Sequence, residues 1–99
     1  MFAKRGLVRL HGKALLNLVA AVFERDKHSC VVCGRWVEDG VKPHHEPPAA
    51  GRKSDELGKM VLLCNCCHYE RHHGARSGVI KASVERYLRN ENNNQQGSI

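Results

Sequence analysis

Two C-x-x-C pairs, Cys30-Val31-Val32-Cys33 and Cys64-Asn65-Cys66-Cys67, stand with thirty residues between them. Sulfurs offered in pairs from tight turns suit a tetrahedral zinc ion, so one structural Zn2+ is expected to draw the two turns together. A chain of 99 residues needs such a staple, because short chains bury a small share of their surface and their cores are marginal. Its aromatic residues are few, Phe2, Phe23, Trp36, Tyr69 and Tyr87, so part of the closing energy is expected from metal ligation. The cysteines are odd in number, five. Cys30, Cys33, Cys64 and Cys67 are the expected ligands, because a helix is expected to start just after the second pair. A Cys64/Cys66 pairing is the alternative, and Cys66 otherwise stays a free thiol.

No apolar stretch approaches the roughly 20 residues of a membrane span, and the start lacks an apolar run followed by a cleavage site. The expectation is a cytoplasmic protein with no membrane partner, where reduced thiols favour zinc over disulfides. Residues 1–12 read as a basic arm with Lys4, Arg5 and Arg9, residues 13–90 as one domain, and residues 91–99 as a polar tail expected to be disordered. Ala14, Leu15, Leu18, Val19, Val22 and Phe23 recur at helical spacing and predict an amphipathic helix over 13–26. Residues 30–34 read as a metal knuckle. Trp36-Val37 and Val41-Lys42 flank Asp39-Gly40, a two-residue hairpin turn, and the second of these strands delivers His44-His45. A loop over 47–58, a strand over 60–63, a helix over 68–73 and a last amphipathic helix over 79–90, after a break at Gly78, complete the prediction.

With four cysteines committed, three histidines remain at metal-ligand spacing. His68 and His72, four apart, share one helix face about 40° apart around its axis, and His44 approaches from a strand. Three ligands leave positions for water and a substrate oxygen, which a catalytic ion requires. His45, next along an ideal strand, points to the opposite side and is left free to act as a base. The helical metalloprotease signature is excluded, since Tyr69 stands where it needs glutamate. His11, His28 and His73 read as surface or packing residues, His73 lying about 140° from His68 around the helix. Glu46 and Glu70 read as solvated carboxylates near the site.

The run Phe23-Glu24-Arg25-Asp26-Lys27-His28-Ser29-Cys30-Val31-Val32-Cys33-Gly34, then His44-His45 before a proline, then Leu62-Leu63-Cys64-Asn65-Cys66-Cys67-His68 and His72, resembles the HNH endonuclease family. The resemblance spans about residues 20–75. It implies an α+β fold, a small ββα-metal unit with flanking helices and a zinc knuckle. It also implies His45 as general base and His44, His68 and His72 as ligands of one divalent ion, Mn2+, Mg2+, Co2+ or Ni2+. The implied activity is DNA endonuclease, leaving a 5′-phosphate and a 3′-hydroxyl. One position departs from the family: Lys59 stands where an asparagine braces the loop that holds the base, and lysine cannot make a two-sided amide bridge.

Sixteen basic residues against ten acidic, a formal charge of +6, favour a phosphate-backbone partner, because Lys and Arg neutralise phosphates and release counterions. Arg52, Lys53, Lys59, Arg71 and Arg76 are the expected contacts. Nothing is arranged to read base edges, so little sequence preference is expected. One ββα unit addresses one scissile phosphate, which predicts nicking by a monomer or homodimer. Two other functions fit the same residues: a non-catalytic zinc module that binds nucleic acid or protein, and a ribonuclease using the same site.

Overall fold

The structure is a computed structural model that describes residues 7–48 and 53–97, with side chains as far as residue 92. Helix α1 spans Gly12–Arg25, strand β1 His44–His45, strand β2 Met60–Val61, helix α2 Asn65–His73 and helix α3 Ser77–Gly97, with a single 3-10 turn at Leu57–Lys59 before β2. The class is α+β: three helices and one two-stranded antiparallel sheet among the described residues. No helix among these residues is long and apolar enough to cross a membrane.

Helix α1 forms where its apolar spacing predicts, and it buries Val22 and Phe23. Its end is a Schellman motif. Lys27 N–H bonds Glu24 O at 3.2 Å, His28 N–H bonds Phe23 O at 3.0 Å, and both residues hold φ near +57°. The accompanying apolar contact is the His28 ring set edge-on to Phe23 at 5.0 Å, with Trp36 stacked on its other side at 4.8 Å. Lys27 is exposed and its left-handed backbone strains a side chain. Lys27→Gly is therefore expected to add about 0.5–1 kcal/mol, the left-handed penalty less glycine's extra freedom in the unfolded chain. An unmoved urea midpoint would contradict that.

The core is built on residues 60–63. Met60, Val61, Leu62 and Leu63 are all at most 1 % exposed, and Val22 and Phe23 of α1 and Ile80, Val84 and Leu88 of α3 join them in one cluster. Four consecutive buried apolar residues ending at Cys64 connect this core directly to the second cysteine pair.

Several expected elements differ in extent. The Asp39-Gly40 turn forms, with Gly40 at φ +94° and Val41 N–H on Glu38 O at 3.3 Å, but Val41-Lys42 does not pair as a strand. Trp36 instead bridges Ser29, and Val37 N–H bonds His28 O at 2.7 Å. A knuckle that turns Cys30 back toward Cys33 brings its own flanks together, and that pairing takes the place of the hairpin. The strand expected over 60–63 is a ladder only at Met60–Val61, because Leu62 N–H turns to Asp26 and Leu62 O to Val31 N–H. Helix α2 starts at Asn65 rather than 68, since the Cys64 sulfur caps its first turn. Helix α3 absorbs Gly78 and runs on to Gly97, into the segment expected to be disordered. Extending a nucleated helix costs little per residue, and no proline stops it. Residues 1–6 of the expected basic arm lie outside the described residues.

Candidate metal centres

The first knuckle is closed by Gly34 N–H on Cys30 O at 2.9 Å and Cys30 N–H on Arg35 O at 2.8 Å. Gly34 sits at φ +81°, a conformation that side-chain-bearing residues resist. Val31 N–H bonds Leu62 O at 3.1 Å and fastens this turn to the strand that leads to the second pair. Cys64 receives Cys67 N–H on its sulfur at 3.4 Å and lies 3.5 Å, sulfur to sulfur, from Cys33. The sulfurs of Cys30, Cys33, Cys64 and Cys67 all lie within 4.8 Å of one another. Cys66 is exposed and outside the cluster, which decides between the two pairings.

Packed this closely, the thiols cannot all ionise independently. Burial, then the neighbouring Cys64, pushes the Cys67 thiol up, whereas Cys64 overcomes its own burial through Cys67 N–H and Cys33 and falls to about 7. A dication resolves that conflict by stabilising every thiolate at once. The four cysteines thus fit a metal ion such as zinc.

The second cluster is made of nitrogen. His44 projects from β1, where it pairs with Val61, and His68 and His72 project from one face of α2. Their ligand atoms lie within 4.8 Å of one another, and ring centroids are 5.1 Å apart for His44 and His68, 5.5 Å for His44 and His72, and 5.0 Å for His68 and His72. Burial falls from His44 through half-buried His68 to exposed His72, so the cluster has one open side. Burial pushes His44 down to about 4 against the pull of Glu46. Burial, then His72 and Lys53, lower His68 as well. Neutral imidazole is the form that binds metals, so neither residue needs to lose a proton near neutral pH.

Carboxylates orient both members of the doublet. Glu46 is buried, not solvated as the sequence suggests. Its Oε1 accepts His44 Nε2–H at 2.9 Å, which leaves His44 Nδ1 for an ion. Arg71 forks onto Glu46, Nε to Oε1 at 3.0 Å and Nη2 to Oε2 at 2.7 Å. Burial raises the Glu46 carboxyl, but Arg71 and His44 outweigh it and hold it below the usual range. A ligand histidine backed by a carboxylate is the usual second layer of a metal site. His45 turns elsewhere: its Nε2 meets Asp55 Oδ1 at 2.8 Å.

Of the expected phosphate contacts, Lys53, Lys59 and Arg76 are exposed. Arg52 lies outside the described residues. Arg71 pairs with Glu46 and also reaches Ser77 Oγ at 3.3 Å. Lys59 gives its backbone carbonyl to Glu46 N–H at 3.0 Å, and Arg25 bonds the carbonyls of Leu57 and Met60 on either side of it. Sequence reasoning missed Asp26, Asp55 and Arg25. Arg25 and Asp26 pair as sequence neighbours, but their other partners, and those of Asp55, are brought near only by folding.

Comparison of the chain with known protein families, curated proteins and solved structures found no match.

Proposed function

We propose that this chain is a metal-dependent DNA endonuclease of the HNH kind, and the observation that supports it is the three-imidazole cluster beside an unligated, carboxylate-backed histidine. Strands β1 and β2 and helix α2 follow one another in the order of a ββα-metal unit, with the four-cysteine cluster at the start of that helix as the zinc knuckle. His44, His68 and His72 would hold the divalent ion, which when bound supplies Lewis-acid stabilisation of charge growing on the phosphate and on the leaving 3′ oxygen.

The remaining chemistry belongs to side chains. His45 Nδ1 takes a proton from water as the water oxygen bonds to phosphorus, and the bond from phosphorus to the 3′ oxygen breaks. That oxygen takes a proton from solvent, leaving a 3′-hydroxyl and a 5′-phosphate. His45 then returns its proton to solvent. Lys53, exposed and with its charge felt at His68, would neutralise a neighbouring phosphate. Glu46 and Arg71 hold His44 so that its ring does not swing when substrate arrives. Exposed cations such as Lys53, Lys59 and Arg76 favour backbone binding and weak sequence preference.

Incubating supercoiled plasmid with the protein and Mn2+ tests this. Relaxed circle is expected, with little linear product early, and His45→Ala is expected to slow it by about 10²- to 10⁴-fold, the usual worth of a general base. Imidazole ligands suit later first-row ions, so Mn2+, Co2+ or Ni2+ should outperform Mg2+. Absence of relaxed circle with every ion would favour a non-catalytic zinc module, and cutting of labelled RNA alone would make the chain a ribonuclease.

A further inference from the structure

We infer that Asp55 is the positioning residue for His45 and that the segment 8–10 holds Asp55 in register, an inference that rests on the reading of His45 as the base. Both carboxylate oxygens and the backbone N–H of Asp55 are committed. Oδ1 accepts from His45 Nε2 at 2.8 Å, Oδ2 accepts Leu10 N–H at 2.8 Å, and Asp55 N–H donates to Val8 O at 2.7 Å. Val8 N–H in turn donates to Ser54 Oγ at 2.8 Å, and the Ser54 hydroxyl donates to Glu56. Segment 8–10 thus lies along residues 54–55, more than forty residues away in sequence, through three backbone N–H groups and one carbonyl. Arg9 adds a longer approach to Asp55, 4.0 Å.

This arrangement does two things for His45. A carboxylate can only accept, so the proton of the neutral ring sits on Nε2 and the Nδ1 lone pair faces away, free for the proton of the attacking water. The same carboxylate then stabilises the imidazolium that forms, as in other base-and-orienter pairs. Asp55 is 6 % exposed and the His45 side chain 20 %, so this is no solvated surface pair of negligible strength. A loop staple alone would need only Oδ2 and the backbone bonds. The second oxygen, aimed at the ring, serves His45.

The test uses the full chain with its structural metal. In the downfield proton spectrum, the unaltered chain is expected to show a His45 Nε2–H resonance, assigned by its loss in His45→Ala. Asp55→Ala should abolish that resonance and lower kcat on plasmid about 10²- to 10³-fold with KM within about twofold. Asp55→Asn offers one acceptor to two donors: with its oxygen on Leu10 N–H, its amide N–H faces His45 Nε2 and selects the other tautomer, so the Nε2–H resonance should vanish and kcat fall about 10³- to 10⁴-fold. Should Asp55→Ala fail to fold, Asp55→Asn decides alone. A resonance unmoved by both variants, or a kcat that stays within threefold while KM rises, overturns the positioning role whatever the chain cuts. No cutting by the unaltered chain, with the resonance present and dependent on Asp55, overturns the nuclease reading and leaves the positioning intact.

Discussion

Cys67→Ser is expected to abolish the cooperative thermal transition of this protein at ordinary temperatures. The four-sulfur cluster joins two turns with thirty residues between them, and the buried run 60–63 ends directly on one of its members, Cys64. Structural zinc supplies about 10–16 kcal/mol of apparent binding energy in small metal-dependent domains, against a net domain stability of about 5–15 kcal/mol. Losing one ligand therefore removes an amount comparable to the whole margin. A strong chelator under reducing conditions should give the same flat melt, restored by Zn2+. Cys66→Ser serves as the contrast: exposed and outside the cluster, it should change stability by no more than about 0.5 kcal/mol. A normal melt for Cys67→Ser, followed by circular dichroism, would show that the sulfurs do not close this fold.

Asp26→Ala is the second large effect, with an expected loss of about 3–5 kcal/mol, the cost of removing one partner from a buried ion pair. The Asp26 carboxylate is fully buried and binds Arg25, whose Nε lies 2.7 Å from Oδ1 and Nη2 3.0 Å from Oδ2. It also accepts Leu62 N–H at 2.9 Å and the Tyr87 hydroxyl. One residue at the end of α1 thereby holds the departure of the chain from β2 and the middle of α3. Alanine would orphan a buried amide and leave Arg25 with only the carbonyls of Leu57 and Met60. Tyr87→Phe deletes a single hydrogen bond and should cost only about 1 kcal/mol. Urea unfolding separates the two cases, and equal small losses would mean that the network relaxes onto water.

Helix α1 was legible because six apolar residues repeat at a helical period, and α2 because His68 and His72 share a face only on a helix. The candidate metal ligands were legible for a related reason: each C-x-x-C pair and the H-x-x-x-H pair is a local arrangement, complete within one turn or one helix. The hairpin at Asp39-Gly40 misled because turn chemistry sets a bend without choosing which strands meet. There the knuckle's flanks, Ser29 and Trp36, took the pairing. The pairing of Arg71 with Glu46 left no local sign, because residue 46 comes beside α2 only on folding.

By itself, then, the amino-acid order determined the donor chemistry: sulfur in one set, imidazole in another, each preassembled by short-range geometry. Tertiary structure alone decided the partners. It brought Glu46 onto His44 and Arg71, set Asp55 between His45 and Leu10, and gathered Leu62 and Tyr87 around Asp26. Apart from the short Glu46–His44 bond, those links join residues separated by 10 to 61 positions. A carboxylate carries no sequence mark of the group it will meet, because its charge is compatible with any donor until burial leaves only one set within reach.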